Sequence, residues 1–113
     1  MEKMDPKWKK KWVSVLRTPP EEGGYVQARN TLLREEQYDK EFGWHDEFCC
    51  LGVLHNLMVE EGLSEWTPNG DPGDGTWTEM LNLDDDALTR LIYMNDAELR
   101  NFLEIARWIQ ENL

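Results

Sequence analysis

Apolar residues recur at helical spacing near the start of the chain, and lysines fill most of the remaining positions. Asp5 is placed to cap a helix and Pro6 suits its first position. We therefore predict a helix that ends at about Thr18, before the turn sequence PPEEGG. Its apolar stripe, which is expected to face a core, consists of Met4, Trp8, Trp12, Val15 and Leu16.

A second apolar segment, residues 47–61, contains the dense run FCCLGVL. Asp46 precedes it as a predicted N-cap, and Gly62 follows it where a C-terminal cap belongs. The apolar face of this segment consists of Phe48, Leu51, Leu54, Leu57 and Met58, and is widened by Cys49, Cys50 and Val53. Because they cover most of the helix circumference, we predict that this helix lies at the centre of the fold.

The last third of the chain predicts two more helices. Asp84 is the predicted cap of the first, and Asn95 with Glu98 forms a predicted capping box for the second. The predicted buried side of the first helix is Ala87, Leu88, Leu91 and Ile92. The predicted buried stripe of the second is Leu99, Phe102, Leu103, Ala106, Ile109 and Leu113.

The pattern between the first two helices is different, because short apolar pairs alternate there with the polar stretch REEQYDKEFG. We predict a small β-hairpin or ribbon near residues 25–44, with a charged helical turn over residues 35–41 as the competing interpretation. Residues 64–77, SEWTPNGDPGDGTW, predict a loop. The predicted fold is a mostly helical α+β domain spanning residues 1–113, with about four helices, a small β-ribbon and one central apolar helix.

Charge is unevenly distributed along the 113 residues. Residues 1–17 carry six lysines and arginines against two acids, a net +4, while residues 18–113 carry six against 21, a net −15, which together give −11. Direct binding of nucleic acid by this acidic body is disfavoured, because counterion release requires a basic footprint. A basic protein partner, or a surface that mimics DNA, suits the charge better. Solubility alone is the other interpretation.

No apolar run approaches the roughly 18 residues that a membrane-spanning helix requires, and no apolar stretch follows the basic N-terminus as in a signal peptide. Two adjacent cysteines do not form a disulfide framework, so we expect reduced thiols and a cytoplasmic protein. The basic first helix with two tryptophans can bind a membrane surface or a partner groove, although an ordinary surface helix is the favoured interpretation.

Cys49 and Cys50 admit a chemical interpretation, since a thiol near a helix N-terminus can have a lowered pKa and act as a nucleophile. The favoured interpretation is that both fill space in the core. Gln27 and Arg29, together with this helix start, are an alternative binding site for an anionic ligand such as a nucleotide. His45 and His55 do not complete a recognisable metal motif with the thiols, so we predict no metal and no cofactor.

The order of several short patterns resembles a family of small proteins of tailed bacteriophages and prophages. Its specific part is FCCLGVL, and the chain departs from the pattern at REEQYDKEFGWH, which has the character of an insertion. The resemblance implies a viral or prophage origin. The matching positions are Trp12, Leu16, Arg17, Tyr25, Gln27, Phe48, Cys49, Cys50, Leu51, Gly52, Val53, Leu54, Asn95, Asp96, Phe102, Ile105 and Ala106.

Viral-type ancestry and an acidic body together suggest a function. Our hypothesis is an accessory protein that binds a basic host protein and inhibits host defence, with no catalytic residue and an oligomeric state that the sequence leaves open. The predicted acidic binding residues are Glu35, Glu36, Asp39, Glu41, Asp84, Asp85 and Asp86.

Overall fold

Four helices and one small sheet make up the computed structural model, which describes residues 4–28, 33–41, 43–66 and 81–113. The helices are α1 (Pro6–Arg17), α2 (Cys50–Glu60), α3 (Asp85–Asp96) and α4 (Phe102–Asn112). The strands are β1 (Val26–Gln27), β2 (Leu33–Asp39) and β3 (Gly43–Phe48), and a 3-10 turn spans Pro20–Glu22. This architecture confirms the predicted mostly helical α+β class.

The sheet has the order β1-β3-β2, with β3 parallel to β1 and antiparallel to β2. The predicted ribbon is therefore confirmed, but the competing helical turn over residues 35–41 is wrong. The polar stretch REEQYDKEFG is also not a connection, because most of it forms β2. Cross-strand pairing with β3, including Tyr38 opposite Trp44, outweighs the poor strand propensity of the charged residues.

The start of α2 differs from the prediction. β3 continues through Phe48, so Asp46 lies in a strand and does not cap the helix. The N-cap is Cys49, whose Sγ accepts a hydrogen bond from the Gly52 N–H at 3.3 Å. The other end is as predicted: Gly62 has φ +75° and its N–H donates to a carbonyl of the last turn.

α2 lies at the centre of the core, as predicted, and α1 packs on it and on α4. Asp5 caps α1 by accepting the N–H groups of its first turn, and the helix ends at Arg17 with Thr18 as its C-cap. Trp12 is fully buried, and its indole N–H donates to the carbonyl of Cys50 at 2.9 Å. The first helix is thus fixed to the start of the central one.

At the C-terminal end, one predicted cap is confirmed and the other is wrong. Asp84 caps α3, since its Oδ1 accepts the Ala87 N–H at 2.8 Å. Asn95 does not begin the last helix but lies buried in the final turn of α3. The capping box of α4 is formed by Asn101 and Glu104.

The shifted start of α4 changes which residues it buries. Phe102, Ile105, Ala106 and Ile109 face the core, whereas Leu99 and Leu103 are 63% and 59% exposed. On α3, Ala87 and Leu91 are buried as predicted, Leu88 is half-buried, and the predicted Ile92 faces solvent. Among the described residues, no helix combines the length and apolar character needed to cross a bilayer.

Candidate functional site

The antiparallel pair β2 and β3 carries two large aromatic side chains on its surface. Tyr38 is 62% exposed and Trp44 is 75% exposed. They face each other across the two strands, with ring centroids 5.3 Å apart. Trp and Tyr are enriched at the energetic centres of protein interfaces, so an adjacent exposed pair is a candidate contact surface.

Carboxylates lie on the same two strands, next to a β-bulge. Arg34 pairs with Glu47 and Gln37 with His45, so two residues of β2, Glu35 and Glu36, stand opposite the single residue Asp46 of β3. Glu36 adopts φ +55°, and its N–H donates to Asp46 Oδ1 at 3.0 Å. Bulges redirect side chains locally, and this one places three exposed carboxylates together.

We define the hairpin surface by the exposed acidic and aromatic side chains of β2, β3 and the turn between them: Glu35, Glu36, Tyr38, Glu41, Trp44 and Asp46. Among the residues that the structure describes, β2 is also an edge strand, since the strand order β1-β3-β2 gives it β3 as its one neighbour. A bulge and charged side chains are devices by which proteins protect such an edge against uncontrolled pairing. The bulge and the charged side chains therefore protect the edge of β2 against pairing with other chains, while the hairpin surface stays exposed.

Alternate side chains of β3 are half-buried and are held by polar contacts. His45 Nδ1 lies 2.9 Å from the Gly43 carbonyl and its Nε2 lies 3.2 Å from Glu47 Oε2. Glu47 also lies 3.6 Å from the guanidinium of Arg34. These contacts fix β3 in place and keep its other face, with Trp44, toward solvent.

The predicted acidic residues fall into two groups that the fold does not merge. Glu35, Glu36 and Glu41 are exposed on β2 and the turn after it; Asp39 lies in β2, but its side chain is outside the described residues. Asp84, Asp85 and Asp86 are exposed at the start of α3. β2 packs on β3, whereas α3 packs on α2 and α4. Their role in binding remains a prediction.

The alternative ligand site at the start of α2 is occupied by other protein groups. Gln27 Nε2 lies 2.7 Å from Asn95 Oδ1 and 2.8 Å from the Arg100 carbonyl. The Cys50 N–H also donates to Asn95 Oδ1, at 3.4 Å. Arg29 lies outside the described residues. Two of the donors predicted to bind an anion there, the Gln27 amide and the Cys50 N–H, already have protein acceptors. Ligand binding at this position stays a prediction.

Both thiols are buried. Cys49 is 7% exposed and Cys50 is inaccessible, with its Sγ 3.8 Å from the Leu91 carbonyl. Burial raises the pKa of Cys49 from its usual 9.0 to about 11 and raises the pKa of Cys50 well above that usual value. A thiol that stays protonated at neutral pH is a poor nucleophile. The geometry favours the interpretation that these cysteines fill space.

The two histidines lie in different environments. His45 is on β3, whereas His55 is buried in α2, with its Nε2 2.8 Å from Ser64 Oγ and its ring 4.3 Å from that of Trp66. Burial lowers the pKa of His55, which favours the neutral imidazole. Within residues 4–28, 33–41, 43–66 and 81–113, no three His, Cys, Asp or Glu side chains are grouped as metal ligands.

The first helix does not present its tryptophans to solvent. Trp8 is 7% exposed and Trp12 is fully buried, so the apolar face of α1 is part of the core. A membrane-surface helix needs a free apolar face to insert. The membrane and partner-groove interpretations of α1 are therefore disfavoured, and only its lysine-bearing side remains accessible.

Sequence reasoning missed Tyr38, Trp44 and Asp46 as surface residues of one site. The signal was present in GWHDEF, where Trp44 and Asp46 alternate with half-buried neighbours as in a strand with one solvated face. It was obscured because the preceding charged stretch was interpreted as a connection. Pairing with β2, which brings Tyr38 beside Trp44, is not visible from local pattern alone.

Comparison with known proteins places the chain in a family without assigning it an activity. A family model described as a domain of unknown function, DUF8296, matches residues 4–77, which include α1, the sheet and α2. No curated protein and no solved structure matches the chain. The match covers well over half of the 113 residues, and the chain therefore belongs to the DUF8296 family.

Proposed function

We propose that this protein is a phage-type accessory protein that acts by binding a basic host protein in the host cytoplasm, and that it inhibits a host defence protein in this way. The observation that carries the proposal is the hairpin surface, where two exposed aromatic rings lie beside four exposed carboxylates. The resemblance of FCCLGVL to phage and prophage proteins supports the viral origin.

The composition of the hairpin surface supports a protein partner over a small ligand. Aromatic rings supply most of the contact energy of an interface when they become buried, and charges around them set partner choice and association rate. Residues 33–48 carry two cations against six carboxylates, a net −4. A basic protein could pack on the aromatic rings and pair with the carboxylates at the same time, whereas a nucleic acid would be repelled by the carboxylates.

The buried thiols and the occupied start of α2 also favour binding over catalysis. Neither the protonated cysteines nor the engaged Gln27 amide offers a reactive group to a substrate. An acidic surface that occupies a nucleic-acid channel requires no reactive group, since inhibition follows from competition for the basic site.

The proposal can be tested by capture from a lysate of the bacterial host at increasing salt. We expect wild-type protein to retain a basic protein that elutes as salt rises, because the Debye length falls from about 30 Å at 0.01 M to about 3 Å at 1 M. Glu35→Lys with Glu41→Lys, or Trp44→Ala alone, should weaken the captured interaction about tenfold, equivalent to ~1.4 kcal/mol.

A matched control separates the hairpin from net charge. Glu21→Lys with Glu22→Lys changes the charge by the same amount at two exposed residues of the 3-10 turn. This control should retain the captured protein. The proposal would be contradicted if no partner is captured or if the binding does not change with salt. It would also be contradicted if the control and the hairpin variant weaken the binding equally.

A further inference from the structure

An apolar groove lies where the start of α3 meets the end of α4. Its volume is about 280 Å³. Its apolar lining consists of Met4, Leu83, Ala87, Trp108 and Leu113. Trp108 and Leu113 are only partly buried, so their side chains form accessible walls and not sealed core.

The size of the groove limits what it can hold. Small-molecule and cofactor sites usually measure about 300–1,000 Å³. A cavity of about 150 Å³ accommodates one benzene molecule. A groove of 280 Å³ therefore suits one large apolar side chain with part of its backbone better than a nucleotide or a larger cofactor.

Charge at the rim is negative. Asp84 and Asp86 line the groove, and both side chains are exposed. The cation on the same rim, Arg90, is paired with Glu98 through contacts of 2.8 and 3.4 Å. The carboxylates of the two aspartates therefore make the electrostatic potential at the groove entrance negative. Charge complementarity then favours a ligand that carries a cation beside the apolar side chain that enters the groove.

We infer that this groove is a docking site for a protein segment that presents one large apolar side chain flanked by Lys or Arg. For the identity of the partner this assignment rests on the proposed binding function, but the groove itself is separate from the hairpin surface. The apolar side chain enters between Leu83, Ala87 and Trp108, and the flanking cations face Asp84 and Asp86.

The experiment uses the full chain and three capped synthetic peptides, Gly-Lys-Phe-Lys-Gly, Gly-Lys-Ala-Lys-Gly and Gly-Glu-Phe-Glu-Gly. Binding is followed by the NMR signal of the Trp108 indole N–H at millimolar peptide. We expect a saturable shift with the Lys-Phe-Lys peptide and at least about fivefold weaker binding of the other two. The Ala peptide lacks the apolar ring that the groove would bury, and the Glu peptide lacks the favourable charge contact.

Two variants of the same helix turn provide the matched comparison. Asp86→Lys removes a carboxylate from the groove, whereas Asp85→Lys makes the same charge change beside it without altering the lining. Only Asp86→Lys should weaken Lys-Phe-Lys binding by a further about fivefold. Leu113→Ala, at the end of the described chain, should weaken it without threatening the fold.

Three results would overturn the assignment: no shift of Trp108, equal binding of the Phe and Ala peptides, or equal effects of Asp85→Lys and Asp86→Lys. The Glu35→Lys with Glu41→Lys variant should bind the peptide as wild type does. If the peptide binds but no host protein is captured, the proposed function is contradicted and the groove assignment stands. If a host protein is captured but the peptide does not bind, only the groove assignment is contradicted.

Discussion

Asn95 connects three elements through one side-chain amide. Its Oδ1 accepts from Gln27 Nε2 and from the Cys50 N–H, and its Nδ2 donates to the Ala28 carbonyl at 2.9 Å. The residue is almost fully buried. A buried polar group that satisfies several partners specifies their relative position, because each partner would be left unsatisfied without it. Asn95 thereby fixes β1 and α2 to the end of α3.

We predict that Asn95→Ala lowers the free energy of unfolding by about 2–4 kcal/mol, since it leaves buried donors and an acceptor without their partner. Urea denaturation measures this change. Asn112→Ala is the control, because its amide donates to a carbonyl of the exposed last turn and should cost less than about 0.5 kcal/mol. Similar losses in both variants would show that Asn95 is not a special contact.

The raised pKa of Cys49 predicts a loss of stability at alkaline pH. The unfolded chain releases this proton near pH 9.0 and the folded chain only near pH 11, so the folded state binds more protons between these values. The free energy of unfolding then falls as pH rises through this window, by up to about 2–3 kcal/mol. Urea titrations between pH 8 and pH 10.5 should show a shallower decline for Cys49→Ala than for wild type; parallel declines would contradict the burial argument.

The misplaced cap of the last helix shows what local sequence cannot decide. Asn95 with Glu98 and Asn101 with Glu104 both match the capping-box pattern, six residues apart. The choice between them depends on Asn95 being drawn into a buried network with Gln27, a residue 68 positions away in the sequence. Burial of this kind is a tertiary property, so the pattern identified the helix but not its first residue.

Leu99 lies at the element boundary between α3 and α4 and has φ +55°, a conformation that costs a residue with a Cβ about 1–2 kcal/mol. Its side chain is 63% exposed, so removing it sacrifices little burial. We predict that Leu99→Gly raises the free energy of unfolding by about 0.5–1 kcal/mol, after allowance for the greater entropy of unfolded glycine. Thermal denaturation provides the measurement, and an unfolding temperature below that of wild type would contradict the backbone argument.

The connection between α1 and β1 depends on close backbone approach. A Cβ added at Gly24 would lie 1.8 Å from the carbonyl oxygen of Thr18, so the backbone would have to move. We predict that Gly24→Ala costs about 3 kcal/mol in urea denaturation. Gly62→Ala is the comparison, because its surroundings are open and only its φ of +75° is unfavourable, at about 1 kcal/mol. Equal costs would show that the loop adjusts freely.

At the level of elements, amphipathic pattern located the four helices of the described residues, but it did not show that the charged residues 34–39 form a strand. Because helical periodicity is local, the pattern predicted most of the buried face of α1 and the burial of α2. Val13, outside the predicted stripe, is buried, whereas the predicted Val15 is half-buried. β2 has a charged sequence whose extended form depends on β3, so its pattern alone favoured a connection. Cys49 was assigned to the interior of α2 for a related reason: the strand before it continues three residues further than the cap pattern indicated.

The whole molecule carries a net charge of −11, and this charge opposes compaction. We predict that raising NaCl from about 0.01 M to about 0.15 M increases the unfolding temperature by a few degrees, because the Debye length shortens from about 30 Å to about 8 Å. The Glu21→Lys with Glu22→Lys variant, at −7, should gain less. An unfolding temperature that is unchanged or lower in salt would mean that local ion pairs outweigh the repulsion.

The packing of α1 against both α2 and α4 has a consequence for synthesis of the chain. During translation, residues 6–17 emerge from the ribosome well before residues 102–112 have been joined. The side of α1 that packs on α4 is therefore covered only after residues 102–112 have been added to the chain.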